Sequence, residues 1–376
     1  MKKKESILIL DNSIAMTGAL KAIIATSESL RMYNRFIFVV PSNSSAVSYI
    51  KKKGFQVYGI PFRELSKRPL DIITYLPVLI INTFRINYIV KTKRVRLLHV
   101  NDFYNMLGFS TLVLNPQIKL ITHIRILPDR YPLILRKLWL MIADTFSSSV
   151  LCMSKAIKKQ LNLNTKAQLF YDMPLKTEEL PPPSQDSSPL SEIKLLYLGN
   201  YIKGKGQDYA LEAFRCAYRE CQDLRLSFVG GDMGLQKNKE FKESLQRKAL
   251  EWEITDVVEF NDFSSNIEKE IKDADIVLNF SESESFSLTC LEALYYGTPL
   301  IASDCGGPSE LFKHKCSGYL VKNRDIDSMV EAIVFLAQSP GERWKYSVES
   351  RKYVRENFSE FESSQKLQSI YESAIV

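Results

Sequence analysis

Short apolar runs alternate with amphipathic stretches through the first half of the chain: ILIL (7–10), RFIFVV (35–40), FQVYGI (55–60), RLLHV (96–100), KLITHI (119–124) and SSVLCM (148–153). Runs of that length between helical patterns predict βαβ units and a parallel sheet. The rhythm breaks at MPLKTEELPPPSQDSSPLSE (173–192), where five prolines and little apolar content predict a linker. It restarts with KLLYLGN (194–200), LRLSFVGG (224–231), VVEF (257–260), DIVLNF (275–280), PLIAS (299–303) and YLV (319–321). Helices are expected over 207–221 and 237–252, from 287, and near 326–338 and 360–374. The pattern is α/β throughout, with two doubly wound parallel-sheet domains expected to face each other across a cleft, ligands lying at the carboxyl ends of the strands. The expected boundaries are a first domain over 1–172, a linker over 173–192 and a second domain over 193–355. A C-terminal helix within 356–376 is expected to pack back toward the first domain.

One stretch departs from this rhythm. IITYLPVLIINTF (72–84) carries no charge and is followed by Arg85, Lys91, Lys93, Arg94 and Arg96. Thirteen residues interrupted by Pro77 are too few to span a bilayer. Two readings remain open, a buried helix of the first domain and an interfacial helix with a basic flank.

Composition narrows the class. At 376 residues and 45 % apolar, the chain can bury more than one core. Its net charge of +7 conceals an asymmetry: residues 1–172 hold 26 Lys/Arg against 9 Asp/Glu (+17), and the remainder 24 against 34 (−10). A basic first half attracts an anionic surface or substrate. No nucleic-acid motif accompanies it, which leaves an anionic membrane or a phosphate-bearing substrate rather than nucleic acid. The six cysteines show no metal or C-x-x-C spacing and read as reduced thiols of a cytoplasmic protein. The basic start MKKKESILILDNS has an apolar run of only four residues and reads as a first strand rather than a secretory segment.

The candidate chemistry centres on SESESFSLTCLEALYYGTP (281–299). Glu284 follows a strand, and Phe286, Ser287 and Leu288 are expected to form the first turn of the helix carrying Glu292. Such a start offers unpaired N–H groups and partial positive charge to a phosphate. Glu292 is placed to accept hydrogen bonds from vicinal hydroxyls such as those of a ribose; by spacing alone, both acids read first as solvated helix charges. His123, at a strand end in THIRILPDR, could hydrogen-bond a sugar hydroxyl or be a satisfied interior histidine. Arg125, two residues on, could steady an anionic acceptor or phosphate. The D-x-D triplets at 273–275 and 325–327 read as a strand start and a helix cap, and no set of residues has metal-ligand spacing.

The pattern S-x-x-E-x-F-x-x-x-x-x-E-A-x-x-x-G-x-P from Ser281 to Pro299, followed by LIASDCGGPSEL (300–311), resembles the donor-binding signature of glycosyltransferase family 4, retaining enzymes of the GT-B fold. LGNYIKGKGQDYALEAF (198–214) is similar to that family's phosphate loop, LSFVGG (226–231, with Gly230) to its next strand and turn, and MTGALKAI (16–23, with Gly18) to its amino-terminal glycine loop. The resemblance implies a hexosyltransferase that uses a nucleotide diphosphate sugar, a UDP-sugar in preference to a GDP-sugar, with no metal or other cofactor. Lys205 would hold the diphosphate, the amides near Ser287 and Leu288 a phosphate, Glu292 the ribose, and Glu284 the sugar, while His123 would reach the sugar from the first domain. Asn200 stands where the family usually has arginine, so Lys203 is expected to compensate. The family's frequent glycine after Phe286 is Ser287 here.

The expected acceptor is a lipid-linked or surface glycan, with the protein in the cytoplasm and peripheral at the inner face of the plasma membrane. Two alternatives remain: a non-catalytic nucleotide-sugar-binding partner subunit, prompted by Asn200, and a nucleotide-sugar epimerase of the same fold.

Overall fold

The computed structural model describes residues 4–63, 69–161, 166–174 and 192–375. The chain divides into two units, Met1–Leu175 with Glu360–Val376, and Lys176–Ser359. Most of the expected linker, and with it part of the first boundary, lies outside the described residues.

The first unit runs β1 (Glu5–Leu10), α1 (Gly18–Ser29), β2 (Asn34–Pro41), α2 (Ala46–Lys52), β3 (Gln56–Ile60), α3 (Pro69–Lys93), β4 (Val95–Val100), α4 (Leu107–Leu114), β5 (Lys119–Ile124), α5 (Leu133–Phe146), β6 (Ser149–Cys152), α6 (Lys155–Gln160) and β7 (Ala167–Leu169). The second runs β8 (Ile193–Leu198), α7 (Gln207–Glu220), β9 (Leu224–Val229), α8 (Gln236–Glu251), β10 (Val258–Asn261), α9 (Ile267–Lys272), β11 (Ile276–Asn279), α10 (Leu288–Tyr296), β12 (Leu300–Ser303), β13 (Tyr319–Val321), α11 (Ile326–Gln338) and α12 (Pro340–Asn357). The last helix, α13 (Glu360–Ile375), belongs to the first unit.

Each unit is built on a parallel sheet, ordered β3-β2-β1-β4-β5-β6-β7 in the first and β10-β9-β8-β11-β12-β13 in the second. Both are doubly wound as expected. Strand β1 shows why its sequence is a continuous apolar run. Ile7 and Ile9 enter one core with Leu20, Ile23 and Tyr371 of α13, while Leu8 and Leu10 enter another with Ile86 and Val90 of α3. A strand covered on both faces has no polar side to alternate with. The second unit packs Leu195, Tyr197, Phe214, Phe228 and Leu278 into one core.

Two elements escape the periodicity reading. Strand β7 is three residues long, and α12 is polar on most sides, burying only Tyr346, Ser347, Ser350 and Val354. A third finding corrects the reading of 72–84: α3 continues through Pro77 for 25 residues. By length and composition, Ile73–Lys93 is apolar enough to cross a membrane. Its inner face is nonetheless committed to the unit's core through Ile86, Ile89 and Val90, so α3 lies on the protein.

Candidate functional site

In the second unit the strand order reverses between β8 and β11, the place where open α/β sheets bind ligands at strand carboxyl ends. Three loops converge there. The loop after β8 turns through Gly204 (φ +88°) and Gly206 (φ +85°) into α7. A Cβ on Gly206 would lie 2.0 Å from the Phe280 carbonyl oxygen, so the loop can rest on the end of β11 only with glycine at this position. Tyr197 ties the same loops together: its hydroxyl donates to the Lys205 carbonyl and accepts from the Phe280 amide at 2.9 Å. Burial keeps that phenol protonated by pushing its pKa well up.

Lys205 and Glu284 therefore meet. Lys205 Nζ lies 2.6 Å from Glu284 Oε1, with the lysine side chain 33 % exposed and the glutamate 14 %. Ser281 Oγ lies 3.1 Å from the Lys205 carbonyl oxygen and 3.0 Å from Glu284 Oε1, within hydrogen-bonding distance of both. The Glu284 backbone is fixed against the turn after β12. Its N–H donates to Cys305 O at 3.1 Å, and its carbonyl accepts from Gly307 N–H at 2.9 Å. A Cβ on Gly307 would lie 2.3 Å from the Phe286 Cα, so the double glycine of DCGGPSE is what lets this turn dock. Paired glycines directly after a strand are the local signal of this docking.

Ser287 does not form a helical turn. It is the N-cap of α10, at φ +82° and ψ 90°, and its Oγ accepts from Cys290 N at 3.3 Å. Asn279 Nδ2 donates to the same oxygen at 3.2 Å. A left-handed backbone at this position favours glycine, so serine here carries strain of about 1–3 kcal/mol, partly offset by the cap. The exchange of glycine for Ser287 is thus a larger departure than the sequence suggests. The first intrahelical bond runs from Leu291 N to Ser287 O, which leaves the Leu288 and Thr289 amides without intrahelical acceptors at the positive end of the helix. Glu292 is half-buried one turn further along. The far end of α10 is capped by α12, whose Arg351 donates twice to Tyr296 O at 3.0 and 2.6 Å.

Phe286 needs correcting as a donor contact. Its side chain is 1 % exposed and meets Phe358 at 6.0 Å, so it anchors the loop from inside. Asn200 Oδ1 accepts from Gly231 N at 3.2 Å, which joins the loops after β8 and β9. Gly230 lies in the same junction, where a Cβ would come within 2.0 Å of Gly199 O. Lys203 is exposed. Both D-x-D triplets are structural: Asp275 accepts from Lys194 N at 2.8 Å, and Asp325 caps α11.

The first unit places its predicted residues differently. Gly18 is exposed at the start of α1, beside the Thr17 cap. His123 is a correction. Its ring is fully buried, 5.6 Å from His99 and 5.5 Å from Phe170, with no hydrogen-bond partner on either nitrogen among the described residues. Burial, followed by the positive charge of Arg125, holds its pKa far below the usual range. It is a neutral histidine buried within the first unit. Beside it, His99 Nδ1 bonds Tyr371 Oη of α13 at 2.7 Å, and burial pushes its pKa down to about 3.

Arg125 is also a correction. It ion-pairs through Nη1 with both oxygens of Asp172, the second at 2.6 Å, both side chains being 1 % exposed. Its Nε donates to Asn101 Oδ1 at 2.8 Å. An arginine neutralised inside the fold does not steady an external anion. Sequence reading missed its surroundings, a polar cluster at the β1/β4 reversal of the first sheet. There Asn101 Nδ2 donates to Asp11 Oδ2 at 2.5 Å, and Asp102 Oδ1 accepts from the amides of Phe103 (2.9 Å) and Arg125 (3.3 Å).

Burial pushes Asp102 up to about 8 despite these hydrogen bonds. Between the unfolded carboxyl value near 4 and that folded value, the folded state holds the extra proton, so this stabilisation is complete at acid pH and lost as pH rises toward 8. From pH 6.5 to 8.5, wild type should lose about 2 kcal/mol of unfolding free energy relative to Asp102→Asn, measured by urea titration. Parallel curves for the two proteins would exclude the protonated acid.

The chain is 30 % identical over 193 residues to the D-inositol 3-phosphate glycosyltransferase of Saccharomonospora viridis, covering 50 % of this chain and 44 % of that one. It is 26 % identical over 201 residues to the lipopolysaccharide 1,6-galactosyltransferase of Salmonella typhimurium, covering 50 % and 51 %. The chain spans about half or less of the length of the curated relatives it matches. Over the whole fold, the Anabaena protein HepE, solved with UDP and glucose, superposes with a TM-score of 0.80 at 16 % identity, covering 98 % of this chain and 99 % of that one. The fold is GT-B, and residues 183–357 match the family described as Glycosyl transferases group 1.

Proposed function

We propose that the protein is a retaining family 4 hexosyltransferase that takes a nucleotide diphosphate sugar, a UDP-sugar in preference to a GDP-sugar, and passes the sugar to a lipid-linked or surface glycan. The observation that carries this reading is the Lys205–Glu284 pair beside the open amides of Leu288 and Thr289, at the strand reversal of a unit matching the group 1 family. Lys205, with Lys203 nearby, meets the diphosphate, the α10 start takes a phosphate oxygen, Glu292 receives the ribose hydroxyls and Glu284 the sugar.

As the sugar–oxygen bond breaks, charge grows on the departing diphosphate. A fixed ammonium and two oriented amides stabilise that charge more than the ground state, which is how they lower the barrier. No step here uses a metal. UDP and UDP-glucose are bound by HepE, which supports the UDP preference, and retention follows from the sequence resemblance. Transferase names among the relatives favour this over the partner-subunit and epimerase readings.

A panel of nucleotide sugars tests it by thermal unfolding. A matching donor at a hundred times its dissociation constant should add about 2.7 kcal/mol, and slow release of free sugar should accompany it. No stabilisation by any nucleotide sugar would overturn the reading, and conversion of donor without hydrolysis would favour the epimerase.

A further inference from the structure

We propose that helices α3, α4 and α5 form a face that docks on the surface of an anionic lipid bilayer. The inference concerns the first unit and does not rest on the donor reading. Along α3, Ile73, Leu76, Ile80, Phe84 and Tyr88 are 70, 62, 56, 60 and 70 % exposed. Steps of three or four residues put them in one stripe, opposite the buried Ile86, Ile89 and Val90.

The neighbouring helices extend the stripe into a surface. Thr83 Oγ1 and Ser110 Oγ, 2.7 Å apart, join α3 to α4, and the Phe109 and Phe146 rings, 4.6 Å apart, join α4 to α5. Helix α4 exposes Val113 (62 %), and α5 exposes Ile134 (81 %) and Met141 (57 %). Exposed apolar patches rimmed by polar residues mark sites of protein or membrane interaction.

Charge selects the occupant. The three helices carry Arg85, Lys91, Lys93, Arg136 and Lys137, against Asp144 as the one acid among their described side chains. At the carboxyl end of α3 a recess of about 970 Å³ gathers Lys4, Arg31, Arg35, Lys93, Arg94 and Arg96 around the single acid Glu5. Among the described residues none of these six cations makes an ion pair with a carboxylate. Two copies of such a face would bring like charges together, whereas each basic residue near anionic lipid gains about 1 kcal/mol. With its inner side in the core, α3 would lie in the interface plane, its apolar stripe among the acyl chains.

Co-sedimentation with phosphatidylcholine vesicles, with and without phosphatidylglycerol, tests this. The protein should pellet with the anionic vesicles and be released by high salt. The double variant Ile80→Glu/Phe84→Glu should partition more than tenfold more weakly, and Arg94→Glu/Arg96→Glu should weaken binding to anionic vesicles alone. All four side chains are exposed, so unfolding temperature and UDP binding should stay at wild-type values, which separates this test from the donor reading. Equal binding of wild type and the Ile80/Phe84 variant would overturn the proposal. So would binding to neither vesicle, or a dimer in sedimentation velocity that this variant dissolves.

Discussion

Lys205→Ala should weaken UDP binding by about 30- to 1000-fold, the equivalent of about 2–4 kcal/mol, while the unfolding temperature barely moves. The two halves of this expectation have separate causes. In the folded protein the Lys205 ammonium is partly exposed, and its pairing with Glu284 contributes at most about 1 kcal/mol to stability. Against a diphosphate, the same ammonium supplies a fixed charge, and Asn200, engaged with Gly231, brings none. Glu284→Gln isolates the other partner. It removes the carboxylate that neutralises Lys205, so UDP should bind at least as well, while sugar transfer falls. Calorimetry with UDP and a turnover assay read the two effects apart. Equal loss of stability and binding in Lys205→Ala would reassign the pair to a structural role.

Asp172→Ala should destabilise the first unit by about 3–5 kcal/mol. The substitution leaves the Arg125 guanidinium buried without its counter-ion, and water cannot reach a pair whose side chains are both 1 % exposed. Removing both charges with residues of similar volume, as in Arg125→Met/Asp172→Leu, should recover much of the loss, because the desolvation cost of two ions disappears with their attraction. Calorimetric unfolding with and without UDP checks the assignment. The transition lowered by Asp172→Ala should be the one that UDP does not raise. A shift below about 1 kcal/mol would mean that the pair is solvated.

The sheets were legible because strands covered on both faces become unbroken apolar runs, whereas the close backbone approaches at Gly206 and Gly307 show only in the folded chain. The failures share a cause, contacts distant in sequence. His123 and Arg125 follow the alternation of β5, but nothing local shows that Tyr371 and Asp172 enclose the cluster they belong to. A strand end and an interior site therefore read alike. Ser287 was misjudged for a local reason: residue type does not reveal a left-handed φ where a capping serine is also plausible chemistry. Pro77 inside a 25-residue helix shows how tertiary packing outweighs a local breaker. Helix α12, too polar to recognise by period, caps the far end of α10 through Arg351.

The most direct measurement is a crystal structure of the protein with UDP. A pyrophosphate oxygen should lie within about 3 Å of the Leu288 or Thr289 amide nitrogen, with Lys205 Nζ on the diphosphate and the ribose hydroxyls on Glu292. UDP bound elsewhere, with the α10 start facing only solvent, would contradict the account.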